Sequence, residues 1–173
     1  HAIGVRGGQG LGCAEQYGVL DQIDFLVGTF GKAIASVGGY IICDSIMRDY
    51  LINKMRPLIF STALPPISMA WSDFIFNKVL SMQQQRQHLA EISQYLQQAV
   101  IAKGFSSPSS SHIIPIILGE SQAAIKKARY VQQQGFYAMP VRPPTVPQNS
   151  SRLRISLTAL VQKNELQQLV ECL

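Results

Sequence analysis

Thr29-Phe30-Gly31-Lys32-Ala33 is the stretch of this sequence best placed for covalent chemistry. A lysine directly after an apolar run and a glycine sits at the kind of edge where α/β sheets bind ligands. Most Gly-Lys pairs are solvated loops. Here, however, the following residues Ala33, Ala35, Ser36, Gly38 and Gly39 are small and leave room for a bulky planar group. A lysine partly desolvated in such a pocket can lose its proton and form a Schiff base with an aldehyde. Two nucleotide motifs fail. A phosphate loop would need glycine at 26 and serine or threonine at 33, where Leu26 and Ala33 stand. A dinucleotide fingerprint starting at Gly8 and Gly10 would need glycine where Cys13 sits, and no strand precedes it. His1, His88 and His112 lack ligand spacing, so no metal site is expected, and the last two read as structural or surface histidines.

The elements that must position these residues follow from periodicity and punctuation. Residues 1–12 hold five glycines and form a loop. Residues 23–30 predict a short buried strand, 38–43 a second β run, and 45–55 a helix capped by Asp44 or Ser45 and ended before Pro57. Leu58-Ile59-Phe60 is a third short apolar run. After Pro65-Pro66, the apolar positions Phe76, Val79 and Leu80, then Leu89, Ile92, Leu96 and Val100, predict one long helix from 67 to about 102. Its Gln83–Gln85 triplet stays within the helical period. Residues 104–111 are a loop. A β-α-β-β-α pattern follows: strand 113–118, helix 120–134 closed by Gly135, strands 136–142 and 152–157, and helix 162–172. The expected division falls inside the long helix, with one domain over 1–85 and a small α+β domain over 86–173.

Composition bounds the class. The chain has 173 residues, 47% hydrophobic and 14% charged, which is too apolar for disorder. No uninterrupted apolar run reaches the roughly 18 residues of a membrane span. The first residues lack the basic start and apolar stretch of a signal peptide. The net charge of +5 comes from scattered cations, densest at Lys126, Lys127 and Arg129, with no aromatic-flanked stripe. The nucleic-acid reading is therefore discounted, and an anionic small molecule or cofactor would account for a few buried cations equally well. Cys13, Cys43 and Cys172 form no disulfide pattern, which suits a reducing cytoplasm.

Four motifs in order carry a resemblance that runs from residue 1 to the end. His1-Ala2-Ile3-Gly4-Val5, Thr29-Phe30-Gly31-Lys32-Ala33, Phe60-Ser61-Thr62-Ala63-Leu64-Pro65-Pro66 and Val141-Arg142-Pro143-Pro144-Thr145-Val146-Pro147 followed by Arg152-Leu153-Arg154-Ile155 resemble the α-oxoamine synthases. These are acyltransferases that use pyridoxal 5'-phosphate and have the aspartate-aminotransferase fold. The resemblance implies an α/β chain in which 1–85 ends the cofactor-binding large domain and 86–173 forms the small C-terminal domain. Lys32 would hold the cofactor and later serve as base, and His1 would hydrogen-bond its phenolic oxygen. Thr29 would bind near the phosphate, with Thr62 reaching it from the partner subunit of a homodimer. Arg154 matches the arginine that takes the substrate carboxylate. Arg152 shares its parity on the strand, and the residues by themselves do not rank the two. Thr145 matches a substrate contact, with turn chemistry alone as the other reading. The last motif is most similar to members that join L-alanine to a pimeloyl thioester of coenzyme A or of a carrier protein in biotin synthesis. Members acting on acetyl, succinyl or palmitoyl thioesters share the Lys32 motif. A non-catalytic piece that only dimerises is the alternative from another class. The family's cofactor-pairing aspartate lies three residues before the histidine matching His1, and family chains are roughly twice as long. The 173 residues are therefore expected to be an inactive fragment.

Overall fold

A computed structural model describes all residues 1–173, which divide into two units, His1–Arg86 and Gln87–Leu173. In the first unit a glycine-rich loop leads into the short helix α1 (Cys13–Gln16) and a 3₁₀ turn at Leu20–Gln22. Strands β1 (Leu26–Thr29) and β2 (Gly39–Ile42) then pair antiparallel, Leu26 opposite Ile42 and Thr29 opposite Gly39. Between them runs the turn that carries Lys32. Strand β1 is shorter than predicted and is not buried: Val27 is 68% exposed. The apolar run sets the strand, but nothing in this unit covers its outer face.

Helix α2 (Ser45–Lys54) starts where Asp44 accepts a 2.7 Å hydrogen bond from the Met47 N–H, the N-cap expected of that residue. The run Leu58–Phe60 belongs to a single helical turn, α3 (Arg56–Ile59). The predicted long helix is two helices, α4 (Pro66–Leu80) and α5 (Gln83–Ala102). The break comes at Ser81 and Met82, whose N–H groups turn back to the Lys78 and Val79 carbonyls. The Arg86 guanidinium takes up carbonyls at the end of α4, so the helix closes instead of continuing. No helix is long and apolar enough to cross a membrane.

The second unit contains β3 (Ile113–Gly119), α6 (Ser121–Gln133), β4 (Met139–Val141), β5 (Ser151–Ser156) and α7 (Lys163–Glu171). The sheet order is β3-β5-β4, antiparallel throughout. Alternation decides which face is which. Ile114, Ile116, Leu153 and Ile155 point inward at 0–6% exposure, and Leu96 and Val100 of α5, Val131 of α6 and Leu166 of α7 are buried as well. Each such side chain contributes about 1.5–3 kcal/mol of apolar burial. The predicted stripe Leu89, Ile92, Leu96 and Val100 is buried throughout. The alternate positions of β5, Arg152, Arg154 and Ser156, lie on the opposite face of the sheet.

Candidate active site

The Lys32 turn is held from two sides. At its neck the Thr29 hydroxyl donates to the Gly38 carbonyl at 3.1 Å and accepts from the Gly31 N–H at 3.2 Å, while the Phe30 N–H reaches Gly38 and the Ser36 N–H reaches Phe30. From α4, the Trp71 indole donates to the Ala35 carbonyl at 3.0 Å, and the hydroxyls of Ser36 and Ser72 lie 2.8 Å apart. Ile34 is fully buried and anchors the turn, and Ala35 takes a left-handed φ of 51°. Lys32 itself is exposed. This chain by itself does not bury the lysine as expected: Ile34, two residues on, takes the inward position. Beside β1, the Phe30 and Tyr40 rings pack 5.1 Å apart, and burial pushes the Tyr40 phenol above its usual range.

The loop after His1 lies against this turn. Gly4 has φ 79°, and a Cβ there would stand 2.8 Å from the Ala33 Cβ. Only glycine lets the two segments approach so closely. The Ala2 carbonyl accepts from the Val5 and Arg6 N–H groups, and Gly4 N–H donates to Gly10 at 2.7 Å. The Glu15 carboxylate accepts from the Gln9 and Leu11 N–H groups at 2.8 and 2.9 Å. Desolvation pushes that acid up, but these backbone bonds and the nearby Arg86 charge outweigh it and hold Glu15 below the ordinary carboxylate range. The stretch with Thr62 reaches the far end of the turn: the Leu64 Cδ1 lies 2.5 Å from where a Gly38 Cβ would be. The first unit thus brings Gly4 of the loop after His1, the Thr29 hydroxyl and Leu64 of the Thr62 stretch against the turn that carries Lys32.

In the second unit Thr145 and Arg154 line one concavity of about 620 Å³ with Met139, Val141, Arg142 and Ser156. Thr145 closes its turn with an N–H bond to the Arg142 carbonyl at 3.0 Å. Arg154 bonds the Ser156 hydroxyl at 3.3 Å through Nε. Arg152 is not among the lining residues, and its Nε is taken by the Ser150 carbonyl at 2.9 Å. The concavity separates two arginines that strand parity leaves equal. It also adds Arg142, which sequence reasoning quoted without a role. No local signal in the sequence marks Arg142, which follows the last residue of β4 into the concavity. His88 is structural, its ring 2.9 Å from the Val161 carbonyl. No three His, Cys, Asp or Glu side chains are grouped to hold a metal ion. Sequence reasoning also missed Trp71, Ser72 and Arg86. Trp71 meets Ala35 and Ser72 meets Ser36 across 36 residues, and Arg86 meets Gly8 across 78, beyond any local pattern.

The sequence model of the family Aminotransferase class I and II matches residues 1–173. An 8-amino-7-oxononanoate synthase of Haemophilus ducreyi is 53% identical over 174 residues, spanning 100% of this chain and 45% of that protein. Sphingomonas wittichii serine palmitoyltransferase superposes with a TM-score of 0.92 at 30% identity, over 99% of this chain and 44% of that one. A high-resolution structure of SPT with a PLP internal aldimine gives 0.93 at 28%, over 99% and 44%. The chain spans about half the length of the curated relatives it matches.

Proposed function

Because the chain belongs to the aminotransferase class I and II family, we propose that it carries the lysine of a pyridoxal 5'-phosphate site. The whole protein would be an α-oxoamine synthase. Its finer reading is the decarboxylative condensation of L-alanine with pimeloyl-CoA, or pimeloyl carrier protein, to 8-amino-7-oxononanoate. The observation that carries the reading is the Lys32 turn: an accessible amine amid small residues, with its backbone fixed by Thr29, Trp71 and Ser72.

The residues present fit the cofactor. An exposed primary amine can reach an aldehyde, and hydroxyls are ordinary phosphate donors. When bound, the cofactor would supply an electron sink for a carbanion next to the amino-acid carboxylate. Lys32 is assigned the role of holding it and of taking the α-proton on Nζ. His1 would contact its phenolic oxygen and Thr29 its phosphate side, with Thr62 serving the partner subunit's phosphate in a homodimer. In the second unit Arg154 would bind the amino-acid carboxylate through its planar fork, with Thr145 beside it. A cytoplasmic protein accords with these substrates.

The test is turnover of L-alanine with pimeloyl-CoA by the whole protein, read as coenzyme A release, against acetyl, succinyl and palmitoyl thioesters. Release with the pimeloyl donor alone is expected. Preference for another thioester would move the assignment to a different α-oxoamine synthase, and loss of release in Lys32→Ala is required in either case.

A further inference from the structure

We propose that Arg86 is a positioning residue for the cofactor side of the site, fixing the Gly4–Gly12 loop, and with it His1, to the helix that carries the Lys32 turn. The proposal rests on the reading of Lys32 and His1 given above.

Arg86 is 8% exposed, although a guanidinium is costly to remove from water. It has no carboxylate at ion-pair distance, and Glu15 feels its charge only from further off. Its donors go instead to main-chain carbonyls. Nη1 reaches Val79 at 2.6 Å, and Nη2 reaches Gly8 at 2.6 Å and Leu80 at 3.1 Å, while the buried Nε has no partner. Val79 and Leu80 lie at the end of α4, where the Val79 carbonyl takes only the Met82 N–H of a tightened last turn and the helix dipole favours a cation. Closing the helix end accounts for two of the three bonds. The third goes to the loop, and it is charge-assisted.

The loop is shaped to this cation. Gly10 has φ 84°, and a Cβ there would come 3.1 Å from Nη1. On the loop's other side, Glu15 holds the Gln9 and Leu11 N–H groups. Helix α4 is therefore a common base. Its middle holds the Lys32 turn through Trp71 and Ser72, and its end holds the His1 loop through Arg86. The two segments meet where Gly4 faces Ala33, the residue after Lys32. A shift of the loop moves His1, three residues before Gly4, relative to Lys32.

The test compares Arg86→Lys with the parent in the whole protein. Lysine keeps the charge but lacks the fork that spans three carbonyls. The first readout is amide hydrogen exchange without cofactor. Gly4 and Gly12 are expected to exchange at least about tenfold faster, the loss of one charge-assisted hydrogen bond, while residues 113–119 are unchanged. The second is the pH titration of the bound cofactor's visible absorption, whose midpoint is expected to shift because His1 has moved. If Arg86→Lys does not fold, Gly10→Ala, which presses on Nη1, replaces it. Unchanged exchange would overturn the clamp. Faster exchange with an unshifted midpoint would make Arg86 a stabiliser of the loop only. A parent protein that gains no visible band with pyridoxal phosphate would overturn the reading of Lys32 and hence the positioning role, while exchange would still report on the clamp.

Discussion

Substituting Gly4 by alanine tests whether the His1 loop and the Lys32 turn are built against each other. Two costs arise. The φ of 79° puts an L-residue in left-handed backbone, at about 1–2 kcal/mol. The new Cβ would also stand 2.8 Å from the Ala33 Cβ, a clash that costs about 1–3 kcal/mol by analogy with overpacked cores, while the Val79 Cγ1 at 3.6 Å is in ordinary contact. The expected total is about 2–5 kcal/mol, read from denaturant unfolding of the purified protein. A double-mutant cycle separates the two parts. Ala33→Gly removes the opposing Cβ, so in Gly4→Ala/Ala33→Gly the clash disappears and the backbone strain stays. The coupling between the two sites should therefore be about 1–3 kcal/mol, favourable in the double variant. Lys32 should also be trapped by pyridoxal phosphate and borohydride more slowly in Gly4→Ala and recover in the double variant. Additive costs, with no recovery, would refute the close approach and the arrangement of the site drawn from it.

Other outcomes follow from single residues. Arg154→Ala should raise the KM for the amino acid by about 10- to 150-fold, the cost of a lost charged hydrogen bond, whereas Arg152→Ala should change it less than threefold, since Arg152 is taken up by Ser150. Steady-state kinetics on the two variants decides. Glu15 titrates below the unfolded value of about 4.3, so its support for the loop is complete above that pH and is lost as pH falls through the lower folded value. Amide exchange at Gln9 and Leu11 should accelerate in that acid window, and Glu15→Gln should remove the pH dependence. Asp44→Ala should cost about 1 kcal/mol of stability through loss of the α2 N-cap, measured by thermal unfolding.

The sequence disclosed most where structure is decided locally. Asp44 as a cap, Gly135 past the end of α6 at φ 91°, and the buried stripe of α5 each depend on neighbours within a turn or two. The order of elements in Gln87–Leu173 was readable for the same reason. The break at Ser81–Met82 was not, because a side chain reaching back from Arg86 and a loop 78 residues away help close that helix. The apolar run of β1 marked a strand, expected to be buried, but could not say that Val27 would remain exposed. For the proposed site, the motifs singled out Lys32, Thr29 and Arg154, and the resemblance supplied the roles proposed for them. The exposure of Lys32, the support from Trp71 and the separation of Arg154 from Arg152 depend on how distant segments meet, which spacing does not encode.

The central claim is that Lys32 is the cofactor lysine, and intact-mass spectrometry after pyridoxal phosphate and borohydride tests it most directly. The account predicts a single reduced cofactor adduct on a chain of 19.1 kDa, mapping by peptide analysis to Lys32 and absent in Lys32→Ala. An unmodified mass, or an adduct spread over Lys54, Lys78, Lys126 and the other surface lysines, would contradict it.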